Sequence, residues 1–99
     1  MTITSRSNQH VRYLRKLSQS RAFRHTENAF VLEHPKSIVE LAMTTPSSIR
    51  ALYVLDGTDV PESLHGISST ILSESVFSLC SDVRTSQGII AVVSMPVFE

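Results

Sequence analysis

Arg6, Arg12, Arg15, Lys16, Arg21 and Arg24 fall within nineteen residues, and the first 25 residues hold no carboxylate. Cations at that density are suited to gripping phosphate. Five of the six are arginine, whose planar fork meets phosphate oxygens in bidentate pairs. No acid stands four residues from any of them, so none is neutralised along a helix at that spacing. The formal net charge of the whole chain is zero, because residues 26–99 carry Lys36, Arg50 and Arg84 against nine acids. This asymmetry points to an anionic partner, a nucleic acid or an anionic membrane surface, since a local field steers approach even when the molecule is neutral overall.

The spacing predicts the element that presents these groups. Ser7 or Asn8 can cap a helix running to about Ser20. On its wheel Val11, Leu14 and Leu17 share one arc, and Arg12, Arg15 and Lys16 lie opposite. Tyr13 sits at the boundary, where an aromatic closes a core or stacks on a base, and Phe23 is a second candidate for either role. The apolar arc is short and has no Trp or Phe, so its leucines serve a core better than a membrane, and nucleic acid is the leading partner.

Behind this helix the pattern alternates. Ala29–Glu33 predicts a strand buried on both faces. A helix follows from Pro35 to about Thr45, its start blurred by a capping box that Ser37 and Glu40 would make. Ile49–Leu55 predicts a strand closed by Asp56-Gly57, Glu62–His65 a single helical turn, and Ser69–Leu72 a weak strand. Ser73 caps a short helix with Val76, Leu79 and Cys80 on its apolar side, and Ile89–Ser94 after Gly88 is the last strand. The fold class is α/β: a sandwich around a central mixed sheet of about four strands, preceded by a basic N-terminal helix. With 99 residues and 41% apolar side chains, the chain makes one small domain that buries about 60–65% of its unfolded surface.

Catalytic signatures are missing. There is no G-x-G-x-x-G, G-x-x-x-x-G-K-[ST], G-x-S-x-G or H-E-x-x-H, and three glycines are too few for a phosphate-cradling loop. His10, His25, His34 and His65 are too widely spaced for a zinc site and read as surface or cap residues. Cys80 reads as inert core packing, and Asp56, Asp59 and Glu62 as turn and cap residues. The single cysteine excludes an internal disulfide, and no signal peptide or membrane span opens the chain, so the reducing cytosol is the expected compartment.

Several segments occur in a familiar order: Ile3-Thr4-Ser5-Arg6-Ser7-Asn8, Val11-x-x-Leu14-Arg15-Lys16-Leu17, Phe30-Val31-Leu32-Glu33, Ser81-Asp82 and Gln87-Gly88-Ile89-Ile90-Ala91-Val92-Val93. Together they resemble the N-terminal substrate-binding domain of SpoU-type (TrmH-like) RNA 2′-O-ribose methyltransferases, over nearly the whole chain. The resemblance implies an L30e/L7Ae-like α/β/α sandwich that engages ribosomal or transfer RNA. It implies a separate catalytic domain, outside this chain, that binds S-adenosylmethionine and forms a homodimer; this chain itself is expected to hold no cofactor. Residues 1–95 would then be the RNA-binding domain and 96–99 the start of a linker. The RNA-contacting residues would be the six N-terminal cations and Lys36, which with Glu33 flanks a strand-to-helix junction whose free amides can receive a phosphate. Two rival readings are a stand-alone L7Ae-like ribonucleoprotein component and a protein-interaction or dimerisation domain whose basic helix meets an acidic partner.

Overall fold

Ile49–Leu55 (β3) and Ile89–Ser94 (β5) are the most apolar strands, and they lie antiparallel beside one another inside the sheet. A computed structural model of the chain describes residues 2–81 and 86–96; Asp82 and residues 97–99, the last part of the expected linker, lie outside these. The sheet has five strands rather than four, in the order β1-β4-β3-β5-β2. The additional strand is Thr2–Ile3 (β1), which pairs in parallel with Ser69–Leu72 (β4). Two residues of main-chain pairing leave no hydrophobic pattern to read, so the sequence does not predict this strand. β4 pairs in parallel with β3, and Ala29–Leu32 (β2) pairs antiparallel with β5, so the sheet is mixed as expected.

Helices cover both faces. Gln9–Gln19 (α1), Arg21–Glu27 (α2) and Glu74–Cys80 (α4) lie on one side, where Val11, Leu14, Leu17, Tyr53, Phe77 and Cys80 share a core. Pro35–Thr44 (α3) and the turn Glu62–Leu64 cover the other side, with Ile38, Leu52, Leu64 and Ala91 buried there. This is the predicted α/β/α sandwich.

Three local expectations are corrected, and one helix is new. β2 is an edge strand, with Ala29 buried and Phe30, Val31 and Leu32 only half-buried, because its outer side has no neighbour. α2 was not legible as a helix: its seven residues bury none of their side chains fully, so no apolar period marks it. α3 begins at Pro35 with His34 at the cap position, and no capping box forms. On α4 the third core residue is Phe77, and Leu79 is half-buried.

Gly88 opens β5 at φ +86°, its carbonyl accepting from the Leu55 amide at 2.8 Å, and a Cβ at this position would press on the Thr58 side chain. The Gly88→Ala substitution is therefore expected to cost roughly 1–3 kcal/mol from backbone conformation alone, read as a lower urea midpoint at unchanged slope. Cys80 is 2% exposed, and burial raises its thiol pKa, with the Arg15 charge opposing and the Glu33 charge adding. Its alkylation by iodoacetamide at pH 8 should be slower in the native than in the urea-unfolded protein by at least about two orders of magnitude; comparable rates would contradict the burial.

Candidate nucleic-acid interface

α1 is oriented by its buried stripe and started by Asn8, whose side chain accepts from the His10 amide at 2.8 Å. It ends at Ser20, which also begins α2 by accepting from the Phe23 amide at 3.1 Å. One serine thus serves both helices and sets the bend between them. With Val11, Leu14 and Leu17 fully buried, Arg12 and Lys16 point to solvent, and Arg21 continues the exposed cationic surface on α2. Arg6 is exposed in the loop before α1.

The remaining two N-terminal cations differ. Arg24 donates from Nη1 to the carbonyls of Leu17 (2.7 Å) and Ser18 (3.2 Å), so it satisfies the end of α1. Arg15, placed opposite the stripe by the wheel, is half-buried on the flank of the helix, and its Nε is buried without a hydrogen-bond partner. Among the described residues none of the six forms an ion pair with a carboxylate. Lys16 Nζ lies 4.6 Å from the centroid of the Phe23 ring, which meets Tyr13 edge-on at 5.6 Å and 74°. Phe23 thus takes the core role, as a half-buried ring that supports Tyr13.

The other flank of α1 holds a feature that the sequence did not disclose. Gln9, His10 and Tyr13 face Arg50, Ala51 and Tyr53 of β3 across a cavity of about 390 Å³. A shallower groove of about 270 Å³, lined by Gln9, Arg12, Tyr13 and Lys16, adjoins it. His10 Nδ1 and the Tyr53 hydroxyl share a 2.8 Å hydrogen bond, their rings 5.7 Å apart. Arg50 lies where the β3–β5 register shifts between Ile49 and Ala51, an irregularity of the kind that re-aims a side chain. It donates from Nε to Ser94 Oγ (2.8 Å), from Nη1 to the Glu27 carbonyl (2.8 Å) and from Nη2 to the Asn28 carbonyl (3.0 Å). Burial, and after it Glu27 against an opposing Arg50, raises the Tyr13 pKa; burial, and after it Tyr13 and Cys80, raises that of Tyr53. Both phenols keep their proton at neutral pH. His10 is half-buried and engaged with Tyr53, not the surface or cap residue predicted. Alternation along β3, which sets Ala51 and Tyr53 on one face, could have suggested the cavity floor; the re-aimed Arg50 has no sequence signal.

Lys36 is exposed at the start of α3, on the other face of the sheet, and is not brought together with the α1 cations. Glu33 accepts from Ser81 Oγ at 2.6 Å, tying the end of β2 to the end of α4. Among the described residues no cluster of His, Cys, Asp or Glu could hold a metal ion, and no helix is long and apolar enough to cross a membrane.

Residues 8–91 match the family described as the MRM3-like substrate binding domain. The 23S rRNA (guanosine(2553)-2′-O)-methyltransferase RlmP of Bacillus subtilis (strain 168) is 36% identical over 95 residues, covering 95% of this chain and 38% of that protein. Among solved structures, an RNA 2′-O ribose methyltransferase superposes with a TM-score of 0.78 at 25% identity, over 97% of this chain and 38% of the other. The AdoMet-bound rRNA methyltransferase from Sinorhizobium meliloti shares the fold, with a TM-score of 0.69 at 21% identity over 97% of this chain and 37% of that one. The chain thus spans well under half the length of these relatives. These matches bear out the resemblance to the substrate-binding domain of SpoU-type enzymes, and with most of its length inside the matched region the chain belongs to the MRM3-like substrate-binding domain family.

Proposed function

We propose that this chain binds ribosomal RNA and positions it for 2′-O-ribose methylation by a catalytic domain outside the chain, which takes S-adenosylmethionine as methyl donor. The observation that carries this reading is the cationic surface of α1 and α2: Arg12, Lys16 and Arg21 are exposed, with no carboxylate paired to them among the described residues. Charge left uncompensated within the fold is available to phosphate. The likeness to an enzyme named for 23S rRNA favours ribosomal over transfer RNA as the partner. The phenols of the site are protonated, and its cations are suited to holding and orienting a polyanion. Phosphate contacts of this kind set affinity and register and carry little sequence information. Homodimerisation and residence in the cytosol belong to the same proposal, as properties of the whole enzyme.

The geometry also sets the expected strength of the salt dependence. Six phosphate contacts to single-stranded RNA would give a slope of log K against log salt of about −4. Arg24 is committed to α1 and Arg15 is half-buried, so four contacts, from Arg6, Arg12, Lys16 and Arg21, and a slope of about −3 are expected. In filter binding or fluorescence anisotropy across a salt series, the Arg12→Ala/Lys16→Ala/Arg21→Ala variant should weaken binding at low salt and flatten the slope to about −1. A salt-independent affinity, or one unaltered in that variant, would falsify the proposal.

A further inference from the structure

We infer that the cavity between α1 and β3 is a binding pocket for one unpaired RNA base, an assignment that rests on the RNA-binding reading above. Its volume of about 390 Å³ lies at the small end of ligand sites, which run from about 300 to 1,000 Å³. The lining is held in place. Tyr53, 5% exposed, closes the floor and is pinned through its hydroxyl to His10, which leaves the half-buried Tyr13 ring, braced by its edge-on contact with Phe23, as the aromatic surface open to a base. Arg50, which lines the cavity, has all three guanidinium nitrogens donating to other groups of the fold, so its charge is rigidly placed there. RNA-binding proteins hold splayed-out bases between such elements, stacking them on aromatic rings and guanidinium planes.

Charge complementarity identifies the occupant. The cavity and the neighbouring groove share Gln9 and Tyr13, and the groove adds Arg12 and Lys16. A phosphate held by these two cations places the attached nucleoside at the mouth of the cavity. Gln9, exposed at the rim, offers both a donor and an acceptor to the edge of a base. A base in a duplex has both faces covered by its neighbours, so only an extruded or loop base can enter.

The chain itself provides the probe. It has two tyrosines and no tryptophan, and both tyrosines line the cavity, so its intrinsic emission reports on this pocket. The test is titration of the chain with a stem-loop RNA, following tyrosine emission and, by anisotropy of an end label, Kd across a salt series. Three ligand and protein changes are compared: abasic sites in place of the loop nucleotides, Ala51→Leu to fill the cavity floor, and free nucleoside monophosphate. The expected result is quenched tyrosine emission, with Kd raised about 5- to 100-fold by the abasic sites and by Ala51→Leu while the salt slope is unchanged. A Kd within twofold of the unmodified pair in the abasic arm overturns the pocket and leaves the phosphate surface standing; that arm needs no protein variant, so it decides even where Ala51→Leu fails to fold. Tight binding of the monophosphate without the stem-loop overturns RNA as the occupant. Salt-independent or undetectable binding of the stem-loop overturns the RNA-binding reading, and the pocket with it.

Discussion

The burial of Val11, Leu14 and Leu17 against the sheet sets the rest of the interface. Each is fully removed from water, and a side chain of this size contributes about 1.5–3 kcal/mol when buried. No single surface interaction on the helix competes with that. Once these three point inward, helical geometry leaves Arg12 and Lys16 outward and puts Tyr13 and Arg15 on the two flanks. The cationic surface and the aromatic cavity are therefore two consequences of one packing decision, and a rotation of α1 that spoiled one would spoil the other.

The basic residues divide into two kinds. Arg24 and Arg50 donate to main-chain carbonyls where α1 and α2 end, at Leu17, Ser18, Glu27 and Asn28. Helix ends of this polarity leave acceptors without partners, and a cation there is favoured electrostatically as well. Asn28, in the left-handed conformation at φ 55°, turns the chain directly from α2 into β2, and its carbonyl accepts from both Arg50 and the Met95 amide. These arginines hold the scaffold together. Arg12, Lys16 and Arg21 have no such commitment, and only a folded structure separates the two groups, because a count of charges treats them alike.

What the sequence revealed follows from where strong local patterns exist. The stripe of α1, the long apolar runs of β3 and β5, the position of Pro35 and the glycine before β5 each have a cause within a few residues, and each element stands where it was expected. Thr2–Ile3 and Arg21–Glu27 lack such a cause. The first is held by pairing to a strand almost seventy residues away, the second by Ser20, Arg50 and the ring of Phe23. The cavity was hidden for the same reason: His10 is some forty residues from Arg50 and Tyr53, and what builds the site is a hydrogen bond across that separation and an irregular strand register. Long-range geometry of this kind has no period to detect.

The short β1 strand also has a protective role. It occupies the outer side of β4, where Ile71 is 39% exposed, and the Ile3 carbonyl takes the Ser73 amide at 3.0 Å. Shortening the chain by its first three residues would strip that cover and leave a row of free amides and carbonyls beside an exposed isoleucine. Such a bare margin is a template for intermolecular strand pairing, so Thr2–Ile3 covers part of the β4 margin as well as leading into the basic helix.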